Sequence, residues 1–129
     1  MKNLRIVARG KEADVYLFDE IGDGWVGGVS AKKFAEDLKA LGRLERINLH
    51  INSPGGSVFE ATAIFNTLRR NGARILVDVD GLAASSASVV AMDGDEIKMA
   101  ANAMMMIHNP WVMAAGDAAE LRQTAALLD

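Results

Sequence analysis

Three short segments carry the residue types that acyl chemistry requires. The first is Asn52-Ser53-Pro54-Gly55-Gly56-Ser57. Two adjacent glycines between a strand and a helix let backbone N–H groups approach an anion or oxyanion with no Cβ in the way. The second is Gly81-Leu82-Ala83-Ala84-Ser85-Ser86-Ala87-Ser88. It sets Ser85 at a strand-to-helix junction among small neighbours, where a helix N-terminus stabilises developing negative charge and the next N–H can donate to it. The third is Met105-Met106-Ile107-His108-Asn109-Pro110. It places His108 at the carboxyl end of an apolar strand, the end at which α/β sheets bind ligands. Taken alone, each segment has a structural explanation: a tight turn, close helix packing, a satisfied histidine. Together they supply an oxyanion donor, a nucleophile and a base, the parts of acyl transfer. The other histidine, His50, lies mid-strand on a polar face and reads as structural. Met104, Met105 and Met106 read as core or interface filling.

The surrounding pattern alternates between strands and helices. Val15, Leu17 and Ile21 mark a first strand region, followed by a turn containing Gly22, Gly24, Gly27 and Gly28. Ser30 is a candidate N-cap for a helix whose apolar residues are Phe34, Leu38 and Leu41, with Gly42 just past its end. Arg46 to Asn52 alternates strictly, with Ile47, Leu49 and Ile51 on one face, which predicts a strand buried on one side. After the Pro-Gly-Gly turn, a helix is expected with Val58, Ala61, Phe65 and Leu68 inward, closed by Asn71-Gly72. Ile75, Val77 and Val79 predict the next strand, and a short apolar helix follows over 86–92. Residues 97–99 and 104–107 predict two short strands. Asp117 and Glu120 form a capping-box pair for a last helix over 118–128. The order β-α-β-α-β-α-β-β-α implies parallel pairing with crossovers, hence an α/β layered domain.

Composition narrows the function classes. At 129 residues the chain fits one domain. It has no cysteine, which excludes disulfides, thiolate metal sites and a cysteine nucleophile. Fourteen Lys and Arg against seventeen Asp and Glu give a net charge of −3, which argues against a phosphate-driven nucleic-acid binder. Half of the residues are hydrophobic and mean hydropathy is +0.11, a slight excess that hints at a buried partner surface. The first ten residues alternate charges with apolar residues and contain no apolar signal core. Residues 99–116 carry no formal charge apart from His108, but Asn102, His108, Asn109 and Pro110 interrupt them, so no membrane span is expected. The expected location is the cytoplasm.

In order and spacing, Ile51-Asn52-Ser53-Pro54-Gly55-Gly56, Ala83-Ala84-Ser85 and Met106-Ile107-His108-Asn109-Pro110 resemble the three signature blocks of the Clp proteolytic subunit (ClpP) family. Gly81-Leu82-Ala83-Ala84-Ser85 and Met104-Met105-Met106-Ile107-His108-Asn109-Pro110-Trp111 resemble more closely its phage and prophage branch, the head-maturation or prohead proteases. The resemblance covers the chain from about Val15 onward. It implies an α/β fold of the crotonase-like ββα superhelix type. It also implies a serine endopeptidase acting through an acyl-enzyme on Ser85, with His108 as general base and the N–H groups of Gly56 and Ser86 as the oxyanion hole. No metal or organic cofactor is implied. The implied partners are a polypeptide substrate, further copies of the chain in a ring, and either an ATP-driven unfoldase or phage capsid and scaffold proteins.

One departure bears on activity. The family's triad acid lies well downstream of the histidine, beyond a protruding handle helix, whereas this sequence stops at Asp129, 21 residues past His108. The expectation is a single domain over 1–129 that lacks most of the handle and the C-terminal segment, with no triad acid among these residues. Asp117 reads as a helix cap and Asp129 as a chain end. An uncharged replacement of the acid in a model triad lowers turnover by about four orders of magnitude, so weak or no activity is expected. Lateral self-association is expected to survive and ring-to-ring stacking to fail. Two rival readings stand beside the protease: a crotonase-fold enzyme acting on an acyl-CoA thioester, which needs no serine–histidine pair, and a catalytically inactive assembly module.

Overall fold

The computed structural model describes residues 4–22 and 27–129, so Gly24 of the glycine-rich turn lies outside the described residues. The elements in chain order are β1 (Leu4–Arg9), β2 (Glu12–Leu17), α1 (Ala31–Ala40), β3 (Arg46–Ser53), α2 (Val58–Asn71), β4 (Arg74–Ala84), α3 (Ser86–Ala91), β5 (Glu96–Met99), β6 (Met104–Met106) and α4 (Ala118–Leu128). The strands form one six-stranded sheet in the order β1-β2-β3-β4-β5, and β6 pairs with β4 beyond the end of β5. Every pairing is parallel except the β1–β2 hairpin.

Alternation along the strands sorts the sheet into two unlike faces. Ala13, Ile47 and Ile75 stand in register across β2, β3 and β4, as do Val15, Leu49 and Val77, and then Leu17, Ile51 and Val79. All nine are buried. They meet Phe34 and Leu38 of α1, Ile64 and Leu68 of α2, and Ala87 and Val90 of α3 in one hydrophobic core. Each large side chain fully buried there contributes about 1.5–3 kcal/mol relative to exposure. The intervening positions, among them Asp14, Tyr16, Asn48, His50 and Asp78, make the opposite, polar face.

The helix ends follow their local chemistry. Ser30 Oγ accepts from Lys33 N–H and Ser57 Oγ from Glu60 N–H, each satisfying a donor that the first turn leaves free. Gly72 ends α2 in the left-handed conformation, at φ +81°. Asp117 caps α4 through a complete capping box with Glu120.

Three expectations are corrected. The chain begins with a strand that the charge-rich pattern concealed: Leu4–Arg9 pairs antiparallel with β2 across the two-residue loop Gly10-Lys11, with Gly10 at φ +61°. The first parallel strand ends at Leu17, and Ile21 forms isolated bridges to Val29 and Gly56 instead of continuing it. Helix α2 buries Ala61, Ile64 and Leu68, while Val58 is 52% exposed and Phe65 half-buried. Phe65 sits one position past the buried stripe, and its ring lies 5.6 Å from the Arg69 guanidinium carbon, a partner available only at the margin of the core.

Candidate active site

Residues 81–84, which read in the sequence as a small-residue junction, are the end of β4. The strand runs straight into Ser85, and α3 begins at the next residue. That abrupt change is made by Ser85 itself, at φ +55° and ψ −127°, the one residue other than glycine with positive φ among the described residues. Such a conformation costs a side-chain-bearing residue on the order of 1–3 kcal/mol and persists only where its surroundings over-determine it. Here the Ser85 N–H donates to the Met106 carbonyl (2.8 Å). The Ser85 carbonyl accepts from the Ser88 N–H (3.0 Å) and the Ser88 hydroxyl (2.6 Å). The elbow is thus fixed on both sides and lifts the Ser85 side chain out of the sheet.

Strand β6 pairs with β4 through Leu82–Met104, Ala83–Met105 and Ala84–Met106, which carries the chain after Met106 alongside the elbow. His108 follows two residues later. Its Nε2 lies 2.7 Å from Ser85 Oγ, a hydrogen bond between residues 23 apart in sequence. In the neutral Nδ1–H tautomer, Nε2 accepts the hydroxyl proton. Among the described residues no carboxylate lies within hydrogen-bond distance of the His108 ring. Asp117 is engaged in capping α4, and Asp129 stands at the C-terminal end of that helix.

The glycine loop closes the third side. Gly55 and Gly56 have φ of +88° and +147°. A Cβ on Gly55 would fall 2.5 Å from the Ala84 carbonyl oxygen and 2.9 Å from Ser85 Cβ, so glycine is what allows the loop to touch the elbow. Buried Ser53 holds the loop: its hydroxyl donates to the Asp19 carbonyl (2.5 Å) and accepts from Gly55 N–H (3.1 Å). Ile21 bridges the loop's far side through its own N–H to the Gly55 carbonyl and its carbonyl to Ser57 N–H. That bridge leaves out the Gly56 N–H. Neither it nor the Ser86 N–H, the first of α3, has a backbone partner among the described residues. The two N–H groups singled out in the sequence are therefore both available and come from segments in direct contact.

A cleft of about 280 Å³ opens beside Ser85 and His108. Val58, Ala61, Val89, Ile107 and Pro110 give it an apolar lining, with Thr62 and Ser88 as polar points. A larger hollow of about 340 Å³ lies between the C-terminal ends of α1 and α2, lined by Lys39, Arg43 and Arg70, and holds none of these groups. The chemistry, not the size, distinguishes the first. His50 stands on the polar sheet face, stacked on Tyr16 with ring centroids 4.7 Å apart, and its Nδ1 lies 3.0 Å from Asp80 Oδ2.

Sequence reasoning missed the supports of this site. Ser53 and Ser88 each bond to backbone, and only the Ser53-Pro-Gly spacing of an ST-turn gave a local sign of that. The pinning of Ser85 N–H by Met106 depends on strand pairing, which no local pattern contains.

The Clp protease family model matches residues 6–129. The ATP-dependent Clp protease proteolytic subunit of Ligilactobacillus salivarius (strain UCC118) is 34% identical over 117 residues, covering 89% of this chain and 58% of that protein. The protein of the same name from Bacteroides thetaiotaomicron is 37% identical over 81 residues, 61% of this chain and 37% of that one. ATP-dependent Clp protease proteolytic subunit 1 of Salinibacter ruber is 33% identical over 86 residues, 65% and 37%. The chain thus spans between about a third and three-fifths of the length of these relatives. By this match, with the α/β sheet and the three signature blocks meeting at the Ser85 elbow, the chain belongs to the Clp protease family.

Proposed function

We propose that the chain carries the catalytic core of a serine endopeptidase, with Ser85 as nucleophile, His108 as general base, and the N–H groups of Gly56 and Ser86 as the oxyanion hole. The observation that carries this reading is the 2.7 Å contact of His108 Nε2 with Ser85 Oγ on a strained elbow. Ser85 Oγ attacks the substrate carbonyl carbon while its proton passes to His108 Nε2. The carbonyl oxygen becomes an oxyanion that accepts from the two N–H groups; each such donor supplies about 2.7–4 kcal/mol of transition-state stabilisation. The C–N bond then breaks, and His108 protonates the departing amine. Water attacks the acyl-enzyme with His108 again as base, which releases the acid and regenerates Ser85. The apolar cleft fits an uncharged side chain next to the scissile bond.

Residues 1–129 form, in this proposal, a single domain whose orienting acid and most of whose handle belong to sequence outside them. The substrate is polypeptide, and the working form is a homo-oligomeric ring in the cytoplasm. The relatives' names include ATP dependence, which for this chain implies an ATP-driven unfoldase as partner. The Leu82 and Met104–Trp111 wording favours the phage branch, with capsid or scaffold protein as substrate. The test is covalent labelling by a fluorophosphonate. Reaction at Ser85, lost in Ser85→Ala and slowed in His108→Ala, supports the proposal. Without the orienting acid the reaction is expected to be slow, so a folded chain that does not react even on prolonged exposure to excess reagent sinks the proposal and leaves the inactive assembly module.

A further inference from the structure

The glycine loop and the elbow are pressed together, yet few bonds join them. A Cβ on Gly55 would lie within 3.0 Å of three atoms of residues 84–86. Across this contact, between Gly55–Gly56 and Ser85–Ser88, one hydrogen bond is made among the described residues: the Ser86 hydroxyl donates to the Gly56 carbonyl at 3.2 Å. On its other side the two peptide groups that flank the Gly56 Cα are both bonded to Ile21, whose N–H donates to the Gly55 carbonyl and whose carbonyl accepts from the Ser57 N–H, so the Ser86 hydroxyl is what ties Gly56 to the elbow. Ser86 is 4% exposed, so water does not readily replace its hydroxyl.

We propose that the Ser86 side chain is a positioning group that sets the spacing of the two oxyanion donors, separately from the N–H that the same residue contributes. This rests on the serine-endopeptidase reading. The hydroxyl bond ties the residue of one donor to the residue of the other. Without it the Gly56 carbonyl loses its donor, the two peptide groups that flank Gly56 keep only their bonds to Ile21, and the glycine loop draws back from the elbow towards Ile21, which widens the spacing of the two N–H groups. The loss falls on the transition state and leaves ground-state binding in the cleft unchanged.

The experiment uses the whole chain and its Ser86→Ala variant. Three quantities are read: the rate of fluorophosphonate labelling, the affinity for a short apolar peptide bound without reaction, and the backbone order of Gly56 from amide nitrogen relaxation. The expected result is labelling slowed about five- to tenfold, the scale of one net hydrogen bond, with peptide affinity within twofold of the parent and lower order at Gly56. Unchanged labelling overturns the proposal, as does slowing matched by an equal loss of peptide affinity. If the parent chain does not label at all, the endopeptidase reading fails. Gly56 order then decides the strut alone: a fall in Ser86→Ala supports it and no change overturns it.

Discussion

The two histidines stand in contrasting surroundings. His50 has what a catalytic histidine is usually credited with: a carboxylate 3.0 Å from its Nδ1, and an aromatic ring, Tyr16, stacked within 11° of parallel. His108 has neither among the described residues, but it has Ser85 Oγ at 2.7 Å. The difference lies in the backbone around them. His50 is in the middle of a regular parallel strand, where the backbone N–H groups belong to the ladder. Its neighbours are a satisfied polar network: Asp14 accepts from Asn48 and pairs with Arg9. The Asn48 hydrogen bond, helped by Arg9, holds the Asp14 carboxyl below the usual range. His108 faces an elbow and a glycine loop in which two N–H groups, those of Gly56 and Ser86, are unspent among the described residues. A histidine–carboxylate pair is therefore not by itself a site. Unspent backbone donors beside a strained serine are the rarer arrangement.

The most direct way to break this contrast is to remove each partner in turn. Ser85→Ala is expected to abolish fluorophosphonate labelling, and His108→Ala to slow it by about fifty- to a hundredfold, what the base still contributes where its orienting acid is already missing. Mass spectrometry of the labelled peptide checks both. Label on any other serine of the elbow, Ser86 or Ser88, would show that the contrast is drawn around the wrong hydroxyl.

Glycine substitutions sharpen the contrast at the level of the backbone. Gly55→Ala forces a Cβ against the Ala84 carbonyl at a φ of +88°, so both a clash and backbone strain are incurred. A loss of about 2–4 kcal/mol in unfolding free energy is expected, with labelling slowed at least tenfold as the loop lifts from the elbow. Gly10→Ala is the matched control: φ is +61°, but nothing lies within 4 Å of the new Cβ. It should cost only the strain, about 1 kcal/mol, and leave labelling intact. Equal stability losses for the two would mean that the loop–elbow contact is not tight.

How much of this was legible in the sequence depended on how local each feature is. The three signature blocks are contiguous, so their chemistry could be read directly, and the caps at Ser30 and Asp117 and the Gly72 stop likewise use residues within one turn. Strand β1 was concealed because Arg5 and Arg9 face the open side of a hairpin and look like a solvated terminus. In α2 the larger side chains Val58 and Phe65 drew the predicted stripe off the true one through Ile64. The contacts that hold the site, Ser86 to Gly56 and Ser85 to Met106, join residues 30 and 21 positions apart, and strand pairing creates them. Asp93 precedes Gly94, a pairing that marks a turn, and nothing local shows that its carboxylate is buried.

Asp93 supplies the next test. Its carboxylate is wholly buried, and Arg69 Nε approaches Oδ1 at 2.8 Å, an ion-pair distance without hydrogen-bond alignment, so neither oxygen has a hydrogen-bond donor among the described residues. Burial pushes the Asp93 carboxyl up to about 6 from 3.8; Arg69 opposes the shift and Asp95 adds to it. The folded state therefore holds this proton where the unfolded state has released it. Stability is expected to fall as pH rises from about 4 to 6 and to be flat in this group above that window. Asp93→Asn should remove this slope, as read from melting temperatures across the range. Arg69→Met leaves the buried carboxylate without its cation and is expected to cost about 1–3 kcal/mol at neutral pH. Because the pair joins the far end of α2 to the end of α3, these variants weigh on the fold that carries the elbow. A melting temperature of Asp93→Asn that slopes with pH like the parent's would place the titration elsewhere.

The smallest effect is expected on the polar sheet face. The His50–Asp80 pair is partly open to solvent, with side chains 24% and 40% exposed, and such pairs contribute about 0.2–1 kcal/mol. The stack on Tyr16 adds an amount of the same order. Arg5 lies 5.7 Å from the centre of the Tyr16 ring and keeps that ring in place when His50 is removed. His50→Ala should therefore lower unfolding free energy by about 1 kcal/mol, and Asp80→Asn by less. A double-mutant cycle between the two should give a coupling below about 1 kcal/mol. Both variants should label at Ser85 as fast as the parent, because the site takes nothing from this face. If His50→Ala instead slowed labelling severalfold while remaining folded, the two surroundings would be coupled through β3, whose Asn52 and Ser53 lead from His50 to the glycine loop. The polar face would then count as part of the catalytic apparatus.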